Sequence, residues 1–438
     1  MPSPKQHLNI LKPLRIFLAG VVVLLAQSSS FGQISGSGFK DLDGNGIQTA
    51  SSPIELGVPG VKIRLLVEGS TTSVETTTDA SGAFAFSAAD APAGKAARVL
   101  FYELGKGYYS GVSGTQNATT VQFVTAPTDQ VRLAISSPDE YCDGFNPNLI
   151  VSCYVNGDPL LGGSAGEGTT LVMFPYLSEG VPSPENATPV DLAKAKEVGA
   201  VWGAGYHRRT GKMVTSAFIK RHTGLGPLGV GGLYLTDISS LTTTPFVDLE
   251  AIGIELGEDP HSGLSADFND PSLDTTTLHM IGKVGIGALT FDERGEHIFI
   301  TNLHDRKIYR IFTGTGLAVP TAADVRAYEL PSPCAVTTDF RPWGIKMYRG
   351  ELYVGVVCSG ETNRDTTGMK AVVYKFDPNE ASPTITEVLS FPLTFRRGSP
   401  DLTPGCERYY WNHWDDNYPE PCNTPPLFVL NPQPILSD

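Results

Sequence analysis

Basic residues are scarce in this chain and do not form one dense patch. Its 438 residues include 32 Lys and Arg against 46 Asp and Glu, so the formal charge is −14 at pH 7. Nucleic acids and anionic lipid surfaces are bound mainly through clustered cationic side chains. The acidic balance therefore argues against nucleic acid as a partner. It suits an extracellular protein and is compatible with cation binding.

Local catalytic motifs are also lacking. The sequence has no HExxH zinc motif and no phosphate-binding GxxxxGK[ST] loop. Gly-Gly-Ser at 162–164 is interpreted as an ordinary loop, not as the strained turn on which a hydrolase places its nucleophile. We therefore predict that the protein is not an enzyme. A lactonase- or lyase-like propeller enzyme stays open as an alternative, because such enzymes collect Ca²⁺ ligands and His or Glu from several blades without a local motif.

Cysteine is present but never at CxxC spacing, which disfavours a zinc site. In an exported chain, six cysteines predict disulfides, although their number alone allows several connectivities. The simplest connectivity joins near neighbours in sequence. It gives the pairs Cys142–Cys153, Cys334–Cys358 and Cys406–Cys422.

Only the N-terminus carries a long apolar run. Lys5, Lys12 and Arg15 precede the run from Ile16 to Ala26, and small and polar residues follow up to Gly32. This pattern predicts a secretory signal peptide over residues 1–32, with a membrane anchor as the alternative. Cleavage would remove those three cations and shift the formal charge from −14 to −17. No later run is long enough to span a membrane, so we expect a secreted or cell-surface protein.

A glycine-containing acidic loop is the clearest candidate site. Asp41, Asp43 and Asn45 place side-chain oxygens at alternate positions, as a loop does that binds a hard cation such as Ca²⁺. We predict that these three side chains and the Ile47 carbonyl converge on one calcium ion. Glu55 is the expected remaining ligand.

The loop departs from an EF-hand at its last ligand position. Counting from Asp41, the twelfth residue is Ser52, which cannot supply a bidentate carboxylate, and the nearest acid is Glu55. An Asp- and Gly-rich turn without metal is the alternative interpretation.

The same stretch resembles the SdrD B-like (Cna B-related) domains of bacterial surface proteins. The matching residues are DLDGNGIQ at 41–48, then Glu55, Gly57 and Gly60-Val61, and TDASGAFAF at 78–86. The resemblance implies a calcium-binding loop in a prealbumin-like β-sandwich, here at residues 33–137. The chain departs from the family at Thr49, where an Asp is usual. Short alternating segments between turns independently predict an all-β sandwich.

Beyond the sandwich we predict a connector over residues 138–198 and a β-propeller-like region over 199–438. A long-period repeat, with an inner strand, a Gly-containing charged turn and later strands, begins at Gly203, Gly287 and Gly344. Residues 138–198 could add one blade at most. Since propellers need ~4–8 blades, about three blades predict an incomplete, truncated propeller. The region resembles the propeller-like part that follows SdrD B-like domains in large exported bacterial proteins.

The expected function is a non-enzymatic one at the cell surface or outside the cell. A calcium-stabilised sandwich would act as a spacer, and the propeller would bind an extracellular protein or glycan in an adhesion or matrix role. His207–Arg209 and Lys220–His222 are the concentrated cationic segments, and we interpret them as solvated charges at a turn. The alternative is that adjacent strands bring both segments to one rim as an anion- or glycan-binding patch.

Overall fold

The computed structural model describes residues 34–50, 55–105, 108–114, 118–136, 147–179, 189–348, 350–396 and 410–414. These residues form 23 strands and three helices of four residues each. The predicted all-β fold is confirmed. The predicted signal peptide lies outside the described residues.

The strands fall into two groups along the chain. The N-terminal strands are β1 Ile34–Lys40, β2 Lys62–Val67, β3 Val74–Thr77, β4 Ala83–Phe86, β5 Ala96–Tyr102, β6 Tyr109–Ser110, β7 Val121–Thr125 and β8 Thr128–Ser136. The later strands are β9 Asn148–Ser152, β10 Thr169–Pro175, β11 Val190–Lys194, β12 Val201–His207, β13 Lys212–Ala217, β14 Gly232–Asp237, β15 Thr242–Asp248, β16 Ile286–Phe291, β17 His297–Asn302, β18 Ile308–Phe312, β19 Val325–Tyr328, β20 Phe340–Tyr348, β21 Glu351–Cys358, β22 Lys370–Phe376 and β23 Thr386–Pro392. The helices are α1 Ser164–Glu167, α2 Ala195–Val198 and α3 Thr275–Leu278.

The N-terminal strands form a sandwich of two four-stranded sheets, ordered β4-β1-β8-β6 and β3-β2-β5-β7. All pairs are antiparallel except β1 with β8, which is parallel. Alternate residues of β2, β4 and β5 face inward, and both sheets contribute to one core that includes Ile63, Phe84, Phe101 and Leu133. The alternation of apolar and polar residues places this core between the sheets, because successive strand side chains point to opposite faces.

Three four-stranded antiparallel sheets follow, each with its strands in chain order. We call them the first (β12–β15), second (β16–β19) and third (β20–β23) blade sheets. Their first strands contact one another in sequence. Each first strand also carries a register shift that contains the repeat glycine: Gly203, Gly287 or Gly344. The repeat in the sequence therefore corresponds to a repeat in the fold.

The predicted connector contains a sheet of its own. Strands β9, β10 and β11 form an antiparallel sheet in the order β11-β10-β9. Leu171 and Leu192 of this connector sheet pack against Val201, Met213 and Tyr234 of the first blade sheet. The predicted connector therefore contains strands, and its apolar strand residues bury themselves on the neighbouring sheet.

The buried cores of this region lie between sheets. Val214 and Leu233 of the first blade sheet pack with Ile300 of the second. Phe299 of the second packs with Val354 of the third. The connector sheet and the three blade sheets therefore form a series in which each sheet covers the next, as propeller blades do.

The structure contains a disulfide between Cys334 and Cys358, whose Cα atoms are 5.5 Å apart. It is one of the three pairs predicted from spacing. Cys142, Cys406 and Cys422 lie outside the described residues, so the other two pairs stay predictions. Among the described residues, the helices are too short to cross a bilayer.

Candidate metal centre

The acidic loop leaves the end of β1 and turns sharply at two glycines. Gly44 and Gly46 have φ values of +70° and +71°, a conformation that side-chain-bearing residues rarely adopt. A Cβ on Gly44 would lie 2.7 Å from the Glu293 carbonyl oxygen, and one on Gly46 would lie 2.4 Å from the Gly114 nitrogen. Glycine is therefore required at both positions by conformation and by space.

The carboxylates of Asp41 and Asp43 are held by backbone N–H groups of the same loop. The Asn45 N–H lies 3.0 Å from Oδ1 of each aspartate, and the Gly46 N–H donates to Asp41 Oδ2 at 3.0 Å. Asp41 is 3% exposed. The turn therefore fixes two carboxylates side by side, of which Asp41 is buried and Asp43 half-buried.

Glu55 closes the loop from its far end. Its Oε1 accepts a hydrogen bond from the Leu42 N–H and its Oε2 accepts one from the Thr49 N–H, both at 2.9 Å. Glu55 is 3% exposed. One carboxylate oxygen from each of Asp41, Asp43 and Glu55 lies within 4.8 Å of the others. The structure therefore brings together three of the five predicted ligands.

The electrostatics of the cluster favour a cation. Burial raises the pKa of Asp41 to about 6 and that of Glu55 to about 7, and the charge of Asp43 adds to both shifts. A positive ion would compensate the ionised carboxylates, and carboxylate oxygens are the donors that Ca²⁺ prefers. The three residues thus fit a divalent hard cation by chemistry and by spacing.

Asn45 and Ile47 occupy the same turn, but their present hydrogen bonds lie within the loop. The Asn45 Oδ1 accepts from the Ile47 N–H at 2.5 Å, and the Asn45 Nδ2 donates to Asp43 Oδ2 at 2.7 Å. Their roles as ligands stay predictions. We name this loop, residues 41–47 with Glu55, the carboxylate loop.

The two cationic segments do not share a rim. His207–Arg209 precedes β13 and Lys220–His222 follows it, so a six-residue strand of roughly 20 Å separates them. The first segment contacts the carboxylate loop, whereas Arg221 donates to the Leu273 carbonyl. The alternative of a joint patch is therefore contradicted, because the two segments lie at opposite ends of one strand.

A second group of metal-binding side chain types lies in the turn between β16 and β17. Asp292, Glu296 and His297 come within 4.8 Å of one another. His297 Nδ1 is 2.8 Å from Asp292 Oδ2, and its Nε2 is 2.7 Å from Arg310 Nη2. Both ring nitrogens of His297 are therefore engaged by protein groups.

Ser164 is not in a plain loop as predicted but opens α1. Its Oγ donates to Asp267 Oδ1 at 2.8 Å and accepts from the Phe268 N–H at 3.1 Å. A serine nucleophile needs a base within hydrogen-bond reach and a third group that orients it. Ser164 contacts an acidic side chain and a backbone amide. Its two hydrogen bonds join the start of α1 to the segment that contains Asp267 and Phe268.

An aromatic row, which the sequence analysis did not identify, lies where the first strands begin. Ring centroids of Tyr154 and Phe218 are 6.3 Å apart, those of Trp202 and Phe218 5.8 Å, and those of Phe218 and Trp343 5.7 Å. All four side chains are half-buried, and Lys220 Nζ lies 4.6 Å from the Tyr154 ring centroid. The repeat in the sequence could have indicated this row, because Trp202 and Trp343 directly precede the repeat glycines Gly203 and Gly344.

Comparison with known proteins identifies the class of the N-terminal part. Residues 32–143 match the family model of the SdrD B-like domain, which confirms the resemblance given by the loop residues. Such domains are typical of extracellular and cell-surface proteins.

Similar proteins among characterised sequences include colossins of Dictyostelium discoideum. Colossin-B is 25% identical over 419 residues, which cover 93% of this chain and 10% of colossin-B. Colossin-A is 28% identical over 306 residues, which cover 68% of this chain and 3% of colossin-A. The chain therefore spans a small part of the length of these relatives.

Solved structures overlap only loosely. A Lactobacillus plantarum protein has 12% identity and a TM-score of 0.27, covering 81% of this chain and 96% of that one. TolB from Acinetobacter baumannii has 11% identity and a TM-score of 0.23, covering 69% and 67%. Likeness at this level carries no argument about the function of this chain.

Proposed function

We propose that the chain is a secreted or cell-surface protein without catalytic activity. Its SdrD B-like sandwich is stabilised by Ca²⁺ and acts as a rigid spacer. Its propeller-like sheets bind an extracellular protein or glycan in an adhesion or matrix role. The signal peptide predicted over residues 1–32 supports export, and the match to SdrD B-like domains supports a place outside the cell.

The observation that carries the calcium part is the carboxylate loop. Two of its three clustered carboxylates are buried, with raised pKa values of about 6 for Asp41 and about 7 for Glu55 because burial disfavours their charged forms. A bound Ca²⁺ would supply the compensating charge. Asp41, Asp43 and Glu55 would hold it, and backbone amides of the loop already orient their carboxylates.

The aromatic row supports glycan binding by the sheets. Aromatic faces pack against the apolar faces of sugar rings. Trp202 and Trp343 come from different blade sheets but contact the same Phe218 ring.

We expect Trp343→Ala to abolish binding of the mature chain to an array of immobilised oligosaccharides. Phe123→Ala, at a 78% exposed aromatic on the sandwich, is the matched control. Failure of the wild-type chain to bind, or unchanged binding by Trp343→Ala, would argue against this part.

The propeller-enzyme alternative requires His and acidic side chains that converge from several blades. Among the described residues, one group of such side chains in the sheets, Asp292, Glu296 and His297, comes from a single hairpin. This group does not meet that requirement, and we keep the binding protein as the proposal.

The calcium part is tested by thermal unfolding of the mature chain in chelator and in millimolar Ca²⁺. A ligand that binds only the folded state stabilises it by about 2.7 kcal/mol at a hundredfold excess over Kd. We expect Ca²⁺ to raise the melting temperature of the wild type and to have little effect on Asp43→Asn. Asp79→Asn is the control, since Asp79 occupies another Gly-containing turn but lies outside the cluster. Identical curves in chelator and Ca²⁺ would refute the metal claim.

A further inference from the structure

The carboxylate loop is also the contact between the sandwich and the blade sheets. Its Leu42 and Gly44 carbonyls face the turn between β12 and β13, and Gly44 lies against the turn between β16 and β17. One loop therefore carries the candidate ligands and touches two successive blade sheets.

Two arginines of the first blade sheet hold this contact. Arg209 Nη2 donates to the Gly44 carbonyl at 2.9 Å, and Arg208 Nη1 donates to the Leu42 carbonyl at 3.3 Å. The second nitrogen of Arg208 donates to the Glu293 carbonyl at 3.2 Å, so this guanidinium joins the loop to both turns. Neutral carbonyls on either side of a planar fork give a directional contact that a lysine cannot reproduce.

The spacing around Gly44 leaves no slack in this interface. Because a Cβ at Gly44 would lie 2.7 Å from the Glu293 carbonyl oxygen, the two backbones meet directly. His207, 1% exposed, in turn donates a hydrogen bond from Nε2 to the Gly295 carbonyl at 2.8 Å and ties the two turns together. A change in the conformation of the carboxylate loop must therefore displace its contacts with both turns.

We propose that calcium binding and docking of the sandwich on the blade sheets are coupled, with Arg208 and Arg209 as positioning residues for the metal site. The proposal rests on the proposed function, because it requires that the carboxylate loop binds Ca²⁺. Docking fixes the backbone at Leu42 and Gly44, between the ligands Asp41, Asp43 and Asn45. Coupling between two equilibria is reciprocal, so Ca²⁺ must strengthen docking by the factor by which docking strengthens Ca²⁺ binding.

Hydrogen–deuterium exchange of the mature chain, with and without Ca²⁺, reports both sides of the coupling. In the wild type we expect Ca²⁺ to slow exchange in the loop peptide 41–49 and in the two turn peptides 207–211 and 292–297. In the variant Arg208→Lys/Arg209→Lys, protection by Ca²⁺ should be confined to the loop peptide. Calorimetric titration of the same variant should give Ca²⁺ affinity about fivefold weaker than wild type, at the lower end of typical coupling factors.

The lysine variant keeps both positive charges. A loss of Ca²⁺ affinity in this variant therefore cannot come from a change in the net charge near the site. Arg64→Lys is the matched control, since Arg64 pairs with Glu75 on the sandwich surface, and it should behave as wild type. Protection of the loop without the turns, or wild-type affinity in the lysine variant, would overturn the coupling and leave the proposed calcium site standing. No protection and no binding heat in the wild type would overturn both.

Discussion

The sandwich and the blade sheets bury their apolar residues in different ways. The sandwich has one core between two sheets, with Phe101 packed edge-on against Phe84 at 5.6 Å. In the blade sheets the buried residues lie in separate layers, one between each pair of neighbouring sheets. A closed core depends on all its strands together, whereas a series of sheets depends on each contact with the next.

The difference also sets where function can be placed. The sandwich carries its candidate site in one loop, specified by a local run of residues. The aromatic row is assembled from residues far apart in sequence, on the connector sheet and two blade sheets. A local site survives as long as its own module folds. The assembled site requires the series of sheets to be intact.

Truncating a large buried side chain in the sandwich core or in a blade-sheet core should have the largest effect on stability. Phe101→Ala should destabilise the sandwich by about 3–5 kcal/mol, and Ile300→Ala should destabilise the blade sheets by about 2–5 kcal/mol. If the cores are separate, each variant lowers a different transition in differential scanning calorimetry. Phe123→Ala, at an exposed position, should stay within about 0.5 kcal/mol of wild type. A single transition lowered equally by both core variants would show that the comparison is wrong.

The sequence predicted the sandwich well because its signals are local. The DxDGNG run, its glycines and the alternating strand that follows specify a turn and a half-buried strand without distant contacts. Residues 148–194 are a contrary case. Val190–Lys194 continues the connector sheet as β11, although a helix over 191–197 fits the local pattern, and only Ala195–Val198 is helical. Pairing with β10 overrides local helix preference there.

The candidate site was predictable only in part. Asp41 and Asp43 are close in sequence, and the structure places Glu55 with them. The roles of Arg208 and Arg209 could not be derived, because their partners are backbone carbonyls far away along the chain. Local composition carries no information about such a contact.

The disulfide between Cys334 and Cys358 lies in the blade-sheet region and not in the sandwich. Cys334–Cys358 closes a 24-residue separation, and loops of this size contribute about 3 kcal/mol by restricting the unfolded chain. We expect Cys334→Ser/Cys358→Ser to lower the blade-sheet transition by about that amount and to leave the sandwich transition unchanged. Calorimetry under non-reducing conditions checks this. An equal shift of the sandwich transition would mean that the two regions unfold together.

The metal-free sandwich should lose stability as pH rises. The pKa values of Asp41 and Glu55 are raised by burial to about 6 and about 7, from ordinary values of 3.8 and 4.5. Between the ordinary and the raised values the folded state binds more protons than the unfolded state, so stability falls as pH increases. In chelator we expect stability to fall continuously between pH 4 and pH 8, relative to Asp41→Asn/Glu55→Gln. Urea unfolding of both proteins across this pH range measures the difference between their free energies of unfolding. A difference that does not change with pH would contradict the prediction.

The smallest expected effect tests the equivalence of the blade sheets. A Cβ on Gly203 would lie 2.4 Å from Ser216 Oγ, whereas one on Gly344 would have no neighbour within 4 Å. We expect Gly203→Ala to cost about 1–2 kcal/mol through overpacking and Gly344→Ala to be near neutral. Denaturant unfolding of the pair measures this. Equal losses of stability would show that β20 is as crowded at Gly344 as β12 is at Gly203.

Direct titration of the metal-free mature chain with Ca²⁺ shows whether the carboxylate loop binds the ion. We predict one strong site per chain, lost in Asp41→Asn/Asp43→Asn and retained in Asp79→Asn. We also predict proton release on binding near pH 6, because ligand carboxyls with raised pKa values must ionise. Absence of binding heat in the wild type, or full retention of the site in the double variant, would contradict a calcium site in this loop.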